Sequence, residues 1–208
     1  MAGTKKGSPG ASTAKRSVSV LDAMQPSEHE AVLRRILDTH PELRPEAEAI
    51  ATQILSAPSV EEVADDVCTA LSWLELDQLN GRAGSQPGGG YLGPDEAAWE
   101  LLEEEVEDIF ADMRRRAEAG LQVAAEAICC GIVRGLYEAE QKGSDGLLAW
   151  APDFPAEMAG DAVCTLIQAL PAEERPSARD RLLEALESHV GDWGAMIEGA
   201  ANRGLAGH

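Results

Sequence analysis

From Pro26 to the C-terminus apolar residues recur three and four apart, which is the spacing of one face of a helix. No window alternates apolar with polar residues and β-branched enrichment, the pattern a half-buried strand requires. These two facts predict an all-α chain. Helix-start signals recur along it. Ser27 with Glu30 and Ser59 with Glu62 have the spacing of a capping box, in which the hydroxyl accepts from a backbone N–H three residues on and the carboxylate reaches back. Pro45, Pro94 and Pro155 stand where a first helical residue tolerates a missing N–H. The marks predict eight helices, near 27–39, 45–56, 59–79, 94–118, 121–141, 155–169, 177–190 and 192–203, packed as αα-hairpins.

Charge divides the chain into different materials. Residues 1–24 hold Lys5, Lys6, Lys15 and Arg16 against Asp22. The stretch Met1–Ser19 is rich in Gly, Ser, Thr, Ala and Lys, a composition too poor in apolar groups to offset its ordering entropy. It is read as a disordered basic tail without an export signal, and Met24 as an alternative start. Residues 25–80 form an N-terminal helical unit and 94–208 a C-terminal one. Between them, 81–93 contains six glycines and reads as a flexible linker. It lacks the Gly-Lys-Ser/Thr and preceding strand of a phosphate loop.

Within the C-terminal unit, Trp99, Leu102, Val106, Ile109, Phe110 and Met113 mark one face of a helix whose other face is acidic. In the following helix Leu121, Ala124, Ala125, Ile128, Ile132, Val133 and Leu136 nearly encircle the axis, so it is expected at the centre of the core. Ala127, Gly131 and Gly135 lie four apart on it, which predicts a close helix crossing. There is also an internal echo. Asp65-Asp66-Val67-Cys68-Thr69 matches Asp161-Ala162-Val163-Cys164-Thr165 at an offset of 96 residues. A repeated helix of similar core chemistry suggests a short, HEAT-like αα-repeat arrangement.

The net charge of −20 repels phosphate backbones, and only 4% of residues are aromatic, so direct nucleic-acid binding is disfavoured. No apolar run approaches the ~20 residues of a membrane span, and a cytoplasmic setting is expected. Cys68, Cys129, Cys130 and Cys164 have no C-x-x-C spacing and no histidine at ligand distance, and each lies in an apolar stretch; they read as reduced, buried core thiols with no metal. His29, His40, His189 and His208 are scattered, and Glu-x-x-His, which a di-iron bundle needs twice, is missing. A nucleophile elbow is missing too. No catalytic residue or cofactor is assigned.

Two features remain for partner binding. Gly143–Pro155 carries Leu147, Leu148, Trp150 and Phe154 in a loop limited by prolines, and Arg134 and Tyr137 on the central helix can face it. The second is the acidic face formed by Glu103, Glu104, Glu107 and Asp108. The segments Asp95-Glu96-Ala97-Ala98-Trp99-Glu100, Ile128-Cys129-Cys130-Gly131-Ile132 through Leu136-Tyr137, and Trp150-Ala151-Pro152-Asp153-Phe154-Pro155 resemble an uncharacterised family of bacterial all-α proteins, across about a third of the chain. The resemblance implies a helical fold and a bacterial cytoplasmic setting, and it transfers no site residue.

The sequence therefore points to an adaptor or scaffold that binds another protein through Trp150, Phe154, Arg134 and Tyr137. A homo-oligomer is compatible with this. The alternative is an acidic chaperone, inhibitor or nucleic-acid mimic that binds a basic partner through its acidic face, and an enzyme of unrecognised type stands third. Because the tail offers no apolar surface to a core, a chain beginning at Met24 is expected to keep the thermal midpoint of the whole. A clear drop in a melting experiment would show that the tail docks.

Overall fold

The computed structural model describes residues 19–85, 88–143 and 146–206, so most of the basic tail, to residue 18, lies outside the described residues. Among those described, the chain forms nine α-helices and one two-residue hairpin. It divides into two compact units, one up to Ala49 and one from Ile50 onward.

In the first unit, α1 (Pro26–Thr39) begins one turn-position earlier than the Ser27 signal suggests. Pro26 takes the first helical position, and the capping box is made by Gln25 and Glu28, with the Gln25 amide donating to Glu28 Oε2 at 2.8 Å. A 3-10 turn, Pro41–Leu43, leads into α2 (Arg44–Leu55), whose residues from Ile50 onward belong to the second unit. No residue of either helix is buried.

The second unit holds α3 (Val60–Ser72), α4 (Leu76–Arg82), α5 (Pro94–Glu118), α6 (Gln122–Lys142), α7 (Phe154–Ala169), α8 (Arg175–Leu186) and α9 (Gly194–Ala206). Ser59 caps α3 as expected, accepting from the Glu62 amide at 3.2 Å. The expected helix 59–79 is broken after Ser72. A capping box between Glu75 and Gln78 restarts the chain in a new direction as α4.

The Gly-rich stretch also differs from expectation. It contains β1 (Gly84–Ser85) and β2 (Tyr91–Leu92), antiparallel with Gly84 opposite Leu92. A two-residue ladder is too short to show any alternation, so no strand could be read from the sequence. Nor does the stretch separate two units. α3 packs on α6 more extensively than any other described pair of elements, and α4 packs on α5. Residues 60–82 therefore belong to the larger unit.

As its encircling apolar residues predicted, α6 is the central element: twelve of its residues are buried, and it packs against α3, α5, α7 and α8. Its glycines set the α3 crossing. A Cβ on Gly131 would lie 2.5 Å from Val63 Cβ, and one on Gly135 would lie 2.7 Å from both the Ala64 carbonyl oxygen and Val67 Cβ. A second crossing uses the same device. Gly204 of α9 meets α7 where an added Cβ would be 2.8 Å from Ile167 Cβ and 3.1 Å from the Cys164 carbonyl oxygen. The two echoed helices, α3 and α7, are thus each seated on a glycine of a later helix. The contact is displaced by one helical turn between them, since the counterparts of Ala64 and Val67 at the 96-residue offset are Gly160 and Val163.

Around α6, α5 buries Ala98, Leu102, Val106, Phe110, Met113 and Ala117 along one stripe, and α8 buries Ala178, Leu182 and Leu186. Glu126 of α6 is the one buried charged residue among those described, at 9% exposure, and Arg181 of α8 binds it in fork geometry at 2.6 and 3.0 Å. A carboxylate removed from water requires such a partner.

Two glycine substitutions separate packing from helix propensity. Gly135→Ala is expected to lower stability by about 2 kcal/mol or more, because the nearest obstacle is α3 backbone. Gly199→Ala meets only the far end of Arg203 at 3.8 Å, and it is expected to gain about 0.5–1 kcal/mol from reduced unfolded-state entropy. Chemical denaturation of the two variants measures both signs.

Candidate functional site

The break after α3 and the end of α6 together make a cavity. Ser72 Oγ donates to the Thr69 carbonyl at 2.9 Å, and the Trp73 amide donates to the same carbonyl at 3.1 Å, which closes the last turn of α3. At the other side α6 stops at Gly143, whose φ of +107° is open to glycine and strained for a residue with a Cβ. From there the chain enters a 3-10 turn, Gly146–Ala149, that buries Leu147 and Leu148. Between these ends lies a cavity of about 280 Å³ lined by Cys68, Leu71, Leu74, Ala139, Lys142 and Leu148, among others. Leu71, Leu74, Ala139 and Leu148 give it aliphatic wall, and Cys68, Ser72, Lys142, Gly143 and Gly146 complete the lining.

Two groups give it polarity besides Ser72. Lys142, exposed at the end of α6, is the only lysine of the chain beyond residue 15. The Cys68 thiol donates to the Gly135 carbonyl at 3.1 Å, which ties the cavity to the α3–α6 crossing. Desolvation pushes the Cys68 thiol above its ordinary range, and the nearby Lys142 ammonium offsets only part of that. The thiol is therefore held neutral, as a packing group rather than a thiolate nucleophile.

Two exposed tryptophans are close in sequence to lining residues of the cavity, though neither lines it. Trp73, between the lining residues Ser72 and Leu74, is 77% exposed; Trp150, two residues beyond Leu148, is 47% exposed. Leu76, at the start of α4, is 51% exposed. Trp73 and Leu76 were missed in the sequence because they fall inside what reads as one continuous helix. The Glu75–Gln78 capping spacing is the signal that could have exposed the break.

The four residues expected to bind a partner do not form one patch. Trp150 is exposed, two residues in sequence beyond Leu148. Phe154 is not in a loop: it opens α7, is fully buried, and packs edge-on against Trp99 with ring centroids 5.0 Å apart. Tyr137 packs edge-on against Trp193 at 5.1 Å, with its hydroxyl tight against Gly191. Arg134 points instead to α3, where it pairs with Glu61 at 3.2 Å. A backbone hydrogen bond and then this guanidinium hold the Glu61 carboxyl below its ordinary range.

Glu103, Glu104, Glu107 and Asp108 are all exposed on α5, as an acidic face requires. Part of that face is engaged within the chain. Arg82 binds Glu104 at 2.5 and 3.2 Å and Glu100 at 3.1 Å, and Arg114 binds Glu107 at 2.5 Å. Asp108 borders a separate cleft of about 380 Å³ with Glu62, Asp66 and Asp112, where Arg116 holds Asp112 and the Leu55 carbonyl. Among the described residues no three His, Cys, Asp or Glu side chains are grouped to hold a metal ion.

All four cysteines are free thiols, but only Cys129 and Cys130 are buried; Cys68 and Cys164 are half-buried. The expectation of four buried thiols thus fails for two: Cys68 is a wall of the open cavity, and the Cys164 sulfur accepts from the exposed Gln168 side chain. Burial pushes Cys130 up to about 11 and Cys129 well above its ordinary range. Thiol titration near neutral pH should accordingly modify Cys68 and Cys164 first, and Cys129 and Cys130 only on unfolding. Uniform reaction of all four in the native protein would contradict this packing.

No protein-family model, no curated protein and no solved structure matches this chain.

Proposed function

We propose that the chain is a non-catalytic adaptor or scaffold that docks another protein at the cavity and through Trp73 and Trp150. The observation that carries this reading is the exposure of Trp73 and Trp150, each within two residues in sequence of a wall of a solvent-open cavity. Burying an exposed tryptophan under a partner gives a binding hot spot, and Leu71, Leu74 and Leu148 in the cavity can accept an apolar side chain of that partner. The neutral state of Cys68 supports binding over nucleophilic chemistry at the same place.

The acidic-mimic reading is the weaker one. Several carboxylates of α5 are already neutralised by Arg82 and Arg114, which suits a solubilising face more than a decoy for a basic partner.

Affinity capture from the native host with the wild-type chain, Trp73→Ala and Trp150→Ala tests the proposal. Each substitution should weaken partner capture by about thirtyfold or more while circular dichroism stays unchanged, and capture by the wild type should persist in moderate salt. A partner kept by both variants and released by salt would overturn the adaptor reading in favour of the acidic mimic.

A further inference from the structure

The cavity at the ends of α3 and α6 is built from residues of the second unit, and its lining limits the chemistry of what can enter it. Leu71, Leu74, Ala139 and Leu148 offer aliphatic surface. No aromatic ring and no amide or carboxyl side chain stands among the described lining residues. A planar heterocycle or a sugar therefore finds neither a stacking face nor paired donors and acceptors there. The donors of two polar side chains in the lining are engaged within the chain: Cys68 donates to the Gly135 carbonyl and Ser72 to the Thr69 carbonyl. Lys142 is the third. Arg82, Arg114, Arg134 and Arg181 are each paired with a carboxylate of the chain, but among the described residues no carboxylate pairs with Lys142. Its ammonium lies close enough to the Cys68 thiol to act on it, which places this charge at the cavity.

We infer that the cavity is a binding site for a medium-chain aliphatic monocarboxylate, its hydrocarbon chain against Leu71, Leu74 and Leu148 and its carboxylate on Lys142. Each part of that ligand is selected by the lining. An alkylammonium is repelled by Lys142, and an alcohol or alkane leaves the ammonium without a counterion. A dianion such as a phosphate monoester meets a single ammonium and is opposed by Glu138 and Asp65, whose charges already reach the Cys68 thiol. A volume of about 280 Å³ is small for a ligand pocket and limits the chain to roughly eight carbons. The inference shares its cavity with the docking proposal and does not rest on it, since no partner protein enters the test.

NMR titration of the full chain with octanoate, octanol, octylammonium and butyrate makes that test. Octanoate should bind with a Kd of about 0.1–1 mM. Octanol and octylammonium should bind at least about tenfold more weakly, and butyrate about a hundredfold more weakly, because four methylenes are lost. Lys142→Met should remove the advantage of octanoate over octanol, and Lys142→Arg should keep it. Saturating octanoate should also slow alkylation of Cys68 and leave that of Cys164, on α7, unchanged. A wild type that does not bind octanoate would overturn the inference, as would octanol binding equally well. Unchanged octanoate affinity in Lys142→Met would do the same and reduce Lys142 to a charge complementing the end of α6. Equal protection of both thiols would show general adsorption in place of a site.

Discussion

The contact on which the larger unit depends is the approach of α3 to the backbone of α6 at Gly131 and Gly135. No side chain fits between the two helices there, because any Cβ on these glycines would meet Val63, Val67 or the Ala64 carbonyl. The consequence is geometric. Close approach lets the Cys68 thiol reach the Gly135 carbonyl, and it fixes the last turn of α3 beside the last turn of α6. Leu71 and Ala139 thereby become two walls of one cavity, and the chain leaving α3 must turn away at Trp73. Packing at a pair of glycines, two helical turns away, in this way determines which apolar groups remain open to solvent.

Charge is organised around the same core. A body with many more acids than bases repels itself on folding, and the structure limits that cost by spending its few arginines on more than one partner. Arg82 joins Glu100 and Glu104, Arg116 joins Asp112 and a backbone carbonyl, and Arg179 joins Glu198 and Asp180. The Glu126–Arg181 pair is different in kind, since its carboxyl group is buried and the guanidinium of α8 satisfies both of its oxygens there. Surface pairs of the first type contribute little each, so their number is a matter of solubility and local order more than of stability.

The helical class, the central position of α6 and the one-sided burial of α5 were legible because each is written in a long, strongly periodic segment. Gly131 and Gly135 announced a close crossing for the same reason: their spacing of four leaves one face of a helix without side chains. Other features escaped for reasons that are equally physical. The break at Trp73–Glu75 interrupts no apolar period, so it is visible only as a capping pair. The β1–β2 ladder is shorter than any pattern. Phe154 reads as a loop anchor because Pro152 and Pro155 surround it, but Pro155 occupies the second position of α7 and carries Phe154 into the helix and the core. Arg134 and Tyr137 are three residues apart, and that rotation turns one toward α3 and the other toward Trp193. The placement of the Gly-rich stretch as a boundary failed because a flexible composition says nothing about which helices pack across it.

Native-state hydrogen exchange tests the central claim most directly, namely that α3 is part of the core built on α6. Amides of residues 63–71 and 128–136 should exchange only through the same opening, with a common free energy close to that of global unfolding. Exchange of residues 63–71 through a separate, lower-energy opening that leaves 128–136 protected would contradict the account, for it would make α3 a detachable element and the cavity beside it a transient one.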